Sequence, residues 1–93
     1  TRNAVRKQGS QFIAVVSVRF KPGVLDPQGQ AILSAAHSLG FTEMTGVRVG
    51  KIFDITVRAP DAATAREKVN ALARDLLANP VIESFTIDSL SPA

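Results

Sequence analysis

The chain has 93 residues, of which 45% are hydrophobic and 20% are charged, and it contains no cysteine. This length fits one small domain, which buries only about 60–65% of the surface that its unfolded form exposes. Without thiols, disulfides, thiolate metal sites and cysteine catalysis are excluded. The sequence has neither an apolar run near the roughly 18 residues of a membrane span nor an N-terminal signal region, so we expect a cytoplasmic protein without membrane contact.

The net charge of +3 belongs to the first ten residues. Arg2, Arg6 and Lys7 account for it, because the other eight basic residues are matched by eight acidic ones. A protein that binds phosphate backbones normally carries a basic patch on its folded surface, so we predict no binding to nucleic acid. We divide the chain into a basic extension at residues 1–10, either native or a cloning remnant, and a single domain at residues 11–90.

The first predicted element is a strand that ends at a structured connector. Apolar residues fill every even position of residues 12–20, which predicts that this set faces the core. The connector, residues 21–29, holds two prolines and two glycines. Pro22 ends the strand because proline fixes its own φ and biases the preceding residue to an extended conformation. Asp26 and Pro27 predict a helix start, with a carboxylate cap and a proline at the first helical position.

The next two elements are a helix and a long apolar alternation. Apolar residues at helical spacing predict a helix at residues 27–39, closed by a left-handed Gly40. In residues 43–58 five apolar side chains fall at odd positions, as in one uninterrupted strand, yet sixteen residues make a long strand for a small domain. A hairpin with a three-residue turn at residues 50–52 keeps them on one face, so we favour two strands here. These side chains are Val47, Val49, Phe53, Ile55 and Val57.

A second helix and a last strand complete the predicted fold. The helix begins at Pro60-Asp61 and ends at Asn79-Pro80, where we expect Asn79 to be left-handed. Its apolar stripe is Ala65, Val69, Leu72, Ala73 and Leu76. The last strand covers about residues 81–88. The order β-α-β-β-α-β predicts an α+β, ferredoxin-like fold, a four-stranded antiparallel sheet with two helices on one face. The open face mixes apolar and polar side chains, which suggests self-association or docking.

No catalytic set can be assembled from this sequence. His37 is the single histidine and fits a surface position near a helix C-terminus. The eight carboxylates show no metal-ligand spacing. Lys51 beside Gly50 could bind a phosphate, although a Gly-Lys pair in a turn needs no ligand to explain it. We therefore expect no catalytic residue, no metal and no cofactor.

Three strings, in this order and spacing, resemble the small PurS-type subunit of phosphoribosylformylglycinamidine synthase. They are Lys21-Pro22-Gly23-Val24-Leu25-Asp26-Pro27-Gln28-Gly29, Val47-Arg48-Val49-Gly50-Lys51, and Leu76-Leu77-Ala78-Asn79-Pro80-Val81-Ile82-Glu83. The resemblance implies membership of a glutamine-dependent, ATP-using ligase of purine biosynthesis. In the multi-subunit form a large subunit binds nucleotide and substrate, and a glutaminase subunit releases ammonia.

The resemblance also implies a role and a set of contacts for this chain. The small subunit dimerises, has no catalytic residue of its own, and brings the glutaminase to the large synthase subunit for ammonia transfer. We expect two rigid loops to contact these partners. The contact residues are Pro22, Gly23, Asp26, Pro27 and Gly29 in one loop, and Arg48, Gly50 and Lys51 in the other. The alternative, from fold class alone, is a regulatory module of ferredoxin-like fold that senses a small molecule.

Overall fold

The structure, a computed structural model, describes residues 10–93; the predicted extension therefore lies, apart from Ser10, outside the described residues. The elements follow each other as β-α-β-α-β. They are β1 Gln11–Phe20, α1 Pro27–Ser38, β2 Gly50–Arg58, α2 Ala62–Leu72 with a π-helical turn at Ala73–Leu77, and β3 Glu83–Pro92. Each helix in this part of the chain is too short or too polar to cross a lipid bilayer.

The strand β1 lies at the centre of an antiparallel sheet with the order β2-β1-β3. The even-numbered side chains of β1 face the core, as predicted: Ala14, Val16 and Val18 are at most 1% exposed. The helix α2 and its π-helical turn cover them: Val69 and Ala73 pack in the same cluster, and Ala65 packs with Phe12. Small side chains on the helix permit close approach to the sheet, so a modest core still excludes water.

The prediction of four strands is wrong, because the described residues form three. Pairing of β1 with β2 runs without interruption from Gln11 opposite Arg58 to Arg19 opposite Gly50. The expected turn at residues 50–52 therefore lies inside a strand, and residues 41–49 contain no strand of their own. A specific contact explains the difference: the N–H of Val49 donates to the carboxylate of Asp26 instead of to a hairpin partner.

The prediction that both helices cover one face of the sheet is also wrong. Extensive contacts join the strands to one another and α2 to the sheet, whereas α1 takes part in none of them. Its apolar side chains stay accessible: Ile32 is 44% exposed and Leu39 is 77% exposed. The helix itself has the expected limits, with Asp26 as N-cap and a left-handed Gly40 (φ +99°) after its end.

The end of α2 differs from the prediction in two ways. The π-helical turn changes the angular spacing of the side chains, so Leu76 is 73% exposed and Leu77 packs against the core instead. Asn79 is not left-handed, since the positive φ angles in the described residues belong to glycines. Its side chain accepts a hydrogen bond from the N–H of Val81 (3.0 Å), which forms the turn into β3.

The face of the sheet without helices is mixed, as predicted. Ile13 is 40% exposed and Ile52 is 70% exposed on this face. Polar side chains lie among them: the hydroxyl of Ser17 donates to Asp88 at 3.3 Å. Asp88 occupies an irregularity in the pairing of β1 with β3, opposite Val15 and Val16. Such a bulge weakens an edge strand as a template for another strand.

Candidate functional site

The two loops predicted to contact partners lie against each other at one end of the sheet. We call residues 21–29 and 47–51 together the joint. Arg48 connects them, because its Nη1 donates to the carbonyl of Val24 (3.0 Å) and its Nη2 to the carbonyl of Lys21 (3.3 Å). Two carbonyls of the first loop are thereby held by one planar guanidinium. The loops form a single unit rather than two separate projections.

Asp26 is the centre of the joint. The residue is 3% exposed, and its Oδ1 accepts from the N–H of Gly29 at 2.9 Å, as expected of an N-cap. Its Oδ2 accepts from the N–H of Val49 at 2.7 Å, a contact that the sequence did not indicate. The hydrogen bond from Val49, followed by that from Gly29, holds the pKa of Asp26 below its ordinary value. One carboxylate thus fastens the start of α1 to the segment that enters β2.

Gly29 permits the close crossing of these two segments. It is buried, and a Cβ atom at this position would collide with the carbonyl oxygen of Val47 and lie 2.8 Å from Oδ2 of Asp26. The need here is for space, since the φ of Gly29 is not positive. Gly23 is different: its φ of +86° requires glycine for the turn, and open space surrounds it.

The third string of the resemblance reaches the same end of the molecule. The backbone N–H of Lys21 donates to the carbonyl of Ile82 (2.8 Å), and its Nζ donates to the carbonyl of Pro80 (2.7 Å). Lys51 and Glu83 form an ion pair at 4.0 Å, in which the lysine side chain is 62% exposed. All three strings therefore meet, although they are distant in sequence, and Lys51 remains available to a further partner.

A cavity of about 440 Å³ opens between the joint and the end of the sheet, on the face that carries α2. Apolar side chains of β1 and the joint form much of its wall, and the polar residues Asp26, Gln28, Lys51 and Glu83 also line it. The lining includes Val18, Phe20, Pro27, Val49, Lys51 and Glu83. Its volume is within the range of small-ligand pockets, and it is also large enough for side chains of another protein. No pattern in the sequence indicated this cavity.

His37 has a local structural contact. Its Nε2 lies 2.6 Å from the carbonyl oxygen of Met44, to which it donates, and this fastens residues 41–44 to the end of α1. Within residues 10–93, no three histidine, aspartate or glutamate side chains are grouped so that they could hold a metal ion. The contacts of the site are thus hydrogen bonds that set the geometry of a loop and a helix.

We predict that the Asp26→Asn variant loses the connection between α1 and β2. The asparagine amide has one oxygen, which can accept from the N–H of Gly29, and one NH₂ group, which cannot accept from the N–H of Val49. We therefore expect the N–H of Val49 to lose protection against hydrogen exchange by roughly tenfold or more. Nuclear magnetic resonance of the exchanging amides measures this. The matched control is Asp61→Asn, because Asp61 caps α2 through Thr64, away from the joint; unchanged Val49 protection in Asp26→Asn would contradict the assignment.

The pH dependence of the same contact has a defined sign. Because the pKa of Asp26 is lower in the folded state than in the unfolded chain, its ionised form stabilises the joint. This contribution is fully present above the ordinary carboxyl pKa and is lost as the pH falls below about 4. In the unsubstituted chain, the protection of the Val49 N–H against hydrogen exchange should therefore fall in acid. In Asp26→Asn this protection should depend much less on pH.

These features define a small α+β protein, with one helix on its sheet and a second helix held away from it by a hydrogen-bonded joint. Comparison with known proteins gives its family. The sequence model of the PurS family, described as phosphoribosylformylglycinamidine (FGAM) synthase, matches residues 13–91. The chain therefore belongs to the PurS family. It is a subunit of FGAM synthase, an enzyme of purine biosynthesis.

Individual relatives agree with this assignment. The PurS subunit of FGAM synthase from Mycobacterium leprae is 43% identical over 74 residues, which cover 80% of this chain and 90% of the relative. The crystal structure of PurS from Methanocaldococcus jannaschii is 33% identical with a TM-score of 0.77, over 88% of this chain and 98% of that one. A chain in the structure of PurLQS from Thermotoga maritima is 25% identical with a TM-score of 0.75, over 89% and 98% of the two chains.

Proposed function

We propose that this chain is the assembly subunit that brings a glutaminase subunit to the large ATP-dependent synthase subunit, so that ammonia passes between them. The observation that carries the proposal is the match to a chain of the PurLQS structure over 98% of that chain, since that complex joins PurS with PurL and PurQ. The joint supports it physically. Three segments are fixed at one end of the molecule, and a preformed surface lowers the entropic cost of binding.

We propose that the residues of the joint divide into two groups by their burial. Asp26 and Gly29 are buried and hold the shape of the loops. The exposed members, Pro22, Gly23, Pro27, Arg48, Gly50 and Lys51, form the surface that faces the partners. The exposed guanidinium of Arg48 and the ammonium group of Lys51 can form ion pairs with acidic side chains of a partner. Complementary charge of this kind guides the encounter and the orientation of two proteins.

Further parts of the proposal concern the state of the chain in the cell. We propose that it acts in the cytoplasm as a homodimer or a higher homo-oligomer, with residues 11–90 as its single domain and without nucleic acid as a partner. The exposed apolar residues of α1 and of the open sheet face support self-association, since contiguous apolar surface on a small domain is usually covered in its working state.

Reconstitution of the enzyme tests the proposed function. The large and glutaminase subunits from the same organism are assayed for FGAM formation with and without this chain, using either glutamine or ammonium salt as the nitrogen source. We expect glutamine-dependent synthesis to require the chain and ammonia-dependent synthesis to proceed without it. If glutamine-dependent synthesis is equal in its absence, and the three proteins do not elute together, the assembly role is wrong.

A further inference from the structure

Two adjoining cavities lie beside the joint, toward the open face of the sheet, and two arginines line both of them. The first cavity, of about 250 Å³, has a polar lining that includes Ser17, Arg19, Arg48, Lys51 and Asp88. The second, of about 350 Å³, includes the same two arginines. We call the two cavities together the arginine groove. It is distinct from the cavity of about 440 Å³, which lies on the face that carries α2.

The neighbours of Arg19 in the sheet give its side chain room in this groove. Arg19 lies on the open face between two uncharged residues, Gly50 of β2 and Ser84 of β3. A Cβ atom on Gly50 would lie only 3.2 Å from Cγ of Arg19, so the glycine lets the arginine side chain lie over β2. Within residues 10–93 the guanidinium of Arg19 has neither a hydrogen-bond nor an ion-pair partner, so its five N–H donors are available.

Arg48 adds a second guanidinium, and the orientation of this one is fixed. Two of its N–H groups donate to the carbonyls of Val24 and Lys21, which leaves three donors for another acceptor. The residue is nevertheless exposed. Because the two hydrogen bonds hold the guanidinium in place before a partner arrives, little side-chain entropy is lost on binding.

The positive charge of the groove is not balanced by its own lining. Lys51 adds a third cation, whose ion pair with Glu83 is long at 4.0 Å. The lining has one carboxylate, that of Asp88, which accepts from the hydroxyl of Ser17. Positive charges at close range repel one another, and an anion placed among them relieves this repulsion.

We infer that the arginine groove binds the carboxylates of an acidic segment on one of the other subunits of the enzyme, and that Arg19 shares this contact with Arg48 and Lys51. The planar fork of an arginine pairs with a carboxylate through two parallel hydrogen bonds. Two cavities in a row have space for several side chains of a segment. The inference rests on the proposed assembly role and deepens it, since it names the chemistry of the contact and adds a residue to it.

This chain does not itself offer such a segment. The smallest separation between any two of its eight acidic residues is five positions, from Glu83 to Asp88. Asp26 is buried, and the side chain of Glu83 is only 12% exposed. A second copy would therefore bring single carboxylates, and two grooves of the same charge would repel each other if they met. The charge of the groove thus favours a different protein as its occupant.

Charge reversal at Arg19 gives the first test. The variant Arg19→Glu is titrated into the large and glutaminase subunits, and the concentration that gives half of the maximal glutamine-dependent FGAM formation is measured. We expect this concentration to rise at least about tenfold, because a carboxylate then faces the carboxylates of the partner. The matched control is Arg58→Glu, the same change at an exposed residue of the open face at the far end of β2. It should change the concentration by less than about twofold, since it lies beyond the range of unscreened charge.

The neutral variant Arg19→Gln separates the loss of charge from a loss of shape. It should also weaken activation, and the affinity that remains should fall less steeply with added salt, because one ion pair fewer is screened. The Val49 N–H should keep its protection against hydrogen exchange, since Arg19 takes no part in the hydrogen bonds of the joint.

Carbodiimide cross-linking identifies the source of the carboxylate. The reagent joins an amine to a carboxylate in direct contact with it, so Arg19→Lys places a reactive amine in the groove. In the assembled complex we expect mass spectrometry to find a cross-link from position 19 to an aspartate or glutamate of the large or the glutaminase subunit. Arg58→Lys, treated in the same way, should give no such cross-link from position 58.

Three results would overturn the inference. Equal activation by Arg19→Glu and Arg58→Glu would mean that the groove is not part of the contact. A cross-link from position 19 only to a second copy of this chain would assign the groove to self-association. Saturable binding of inorganic phosphate to the isolated chain at about millimolar concentration, seen as shifts of the Gly50 and Lys51 amide signals, would make the groove a site for a free anion. The proposed assembly role is tested separately, by whether the original chain supports glutamine-dependent synthesis.

Discussion

Replacing Val16 by aspartate unfolds the domain at 25 °C. Val16 is 0% exposed at the centre of β1, paired with Phe53 on one side and with Ile87 on the other. A carboxylate at this position has no polar partner in the apolar cluster, and burying it costs several kcal/mol. Small domains have only about 5–15 kcal/mol of stability in total, and 93 residues place this one near the lower end. Circular dichroism during heating should show no cooperative transition.

The control for this prediction is Ile52→Asp in the neighbouring strand. Ile52 is 70% exposed on the open face, so the new carboxylate stays in water. We expect the melting temperature of the control to change by less than roughly 8 °C, which corresponds to the cost of about 1 kcal/mol for a poor strand former. If Val16→Asp unfolds cooperatively at the same temperature as Ile52→Asp, the side chain of Val16 does not face the core.

The parts of the fold that local patterns determine could be predicted from the sequence. Alternation in residues 12–20 identified β1 and its buried side, because neighbouring side chains in a strand point to opposite faces. Asp26 and Gly40 gave the limits of α1, since caps act on backbone groups only a few residues away. The start of α2 was predicted at Pro60-Asp61 in the same way, and the side chain of Asp61, its N-cap, accepts from the N–H of Thr64.

The wrong predictions concern segments whose conformation depends on contacts with residues that are distant in the sequence. The odd-numbered apolar residues of residues 43–58 fit a hairpin and a single extended segment equally well. The outcome depends on Asp26, whose second carboxylate oxygen takes the N–H of Val49 from more than twenty positions away. Likewise, the apolar stripe of α1 suggested packing on the sheet of the same chain, but α1 has no extensive contact with these strands. The π-helical turn after Leu72 leaves no periodic signal of its own.

The candidate site was predicted as a set of residues but not as an arrangement. Pro22 and Lys51 are exposed, as contact residues would be, whereas Arg48 spends two donors on backbone carbonyls of the neighbouring loop. A basic side chain in a sequence looks the same whether it meets a partner's carboxylate or its own chain's carbonyl groups. The joint could not be predicted from the sequence, because its hydrogen bonds connect the side chains of Arg48 and Asp26 to backbone atoms of distant residues.

Introducing a side chain at Gly29 should disable assembly while the core of the domain stays folded. In Gly29→Val the new atoms meet the carbonyl oxygen of Val47 and the carboxylate of Asp26, so the helix and the segment before β2 must separate. Strain of this kind costs about 1–3 kcal/mol. Because the joint lies outside the cluster under α2, we expect a cooperative melting transition at a moderately lower temperature. Glutamine-dependent FGAM formation in the reconstituted enzyme should fall at least tenfold.

Gly46→Val is the matched control, since open space surrounds Gly46 and its φ is not positive. It adds the same side chain three residues before Val49 without entering the joint. Hydrogen exchange separates the two variants: the Val49 amide should lose its protection in Gly29→Val and keep it in Gly46→Val. If Gly29→Val loses that protection but assembles and transfers ammonia as well as the control, the shape of the joint is not what the partner subunits recognise. If instead both variants fail equally, a valine side chain beside the joint is enough to block assembly, and the contact between Gly29 and Val47 is not the specific requirement.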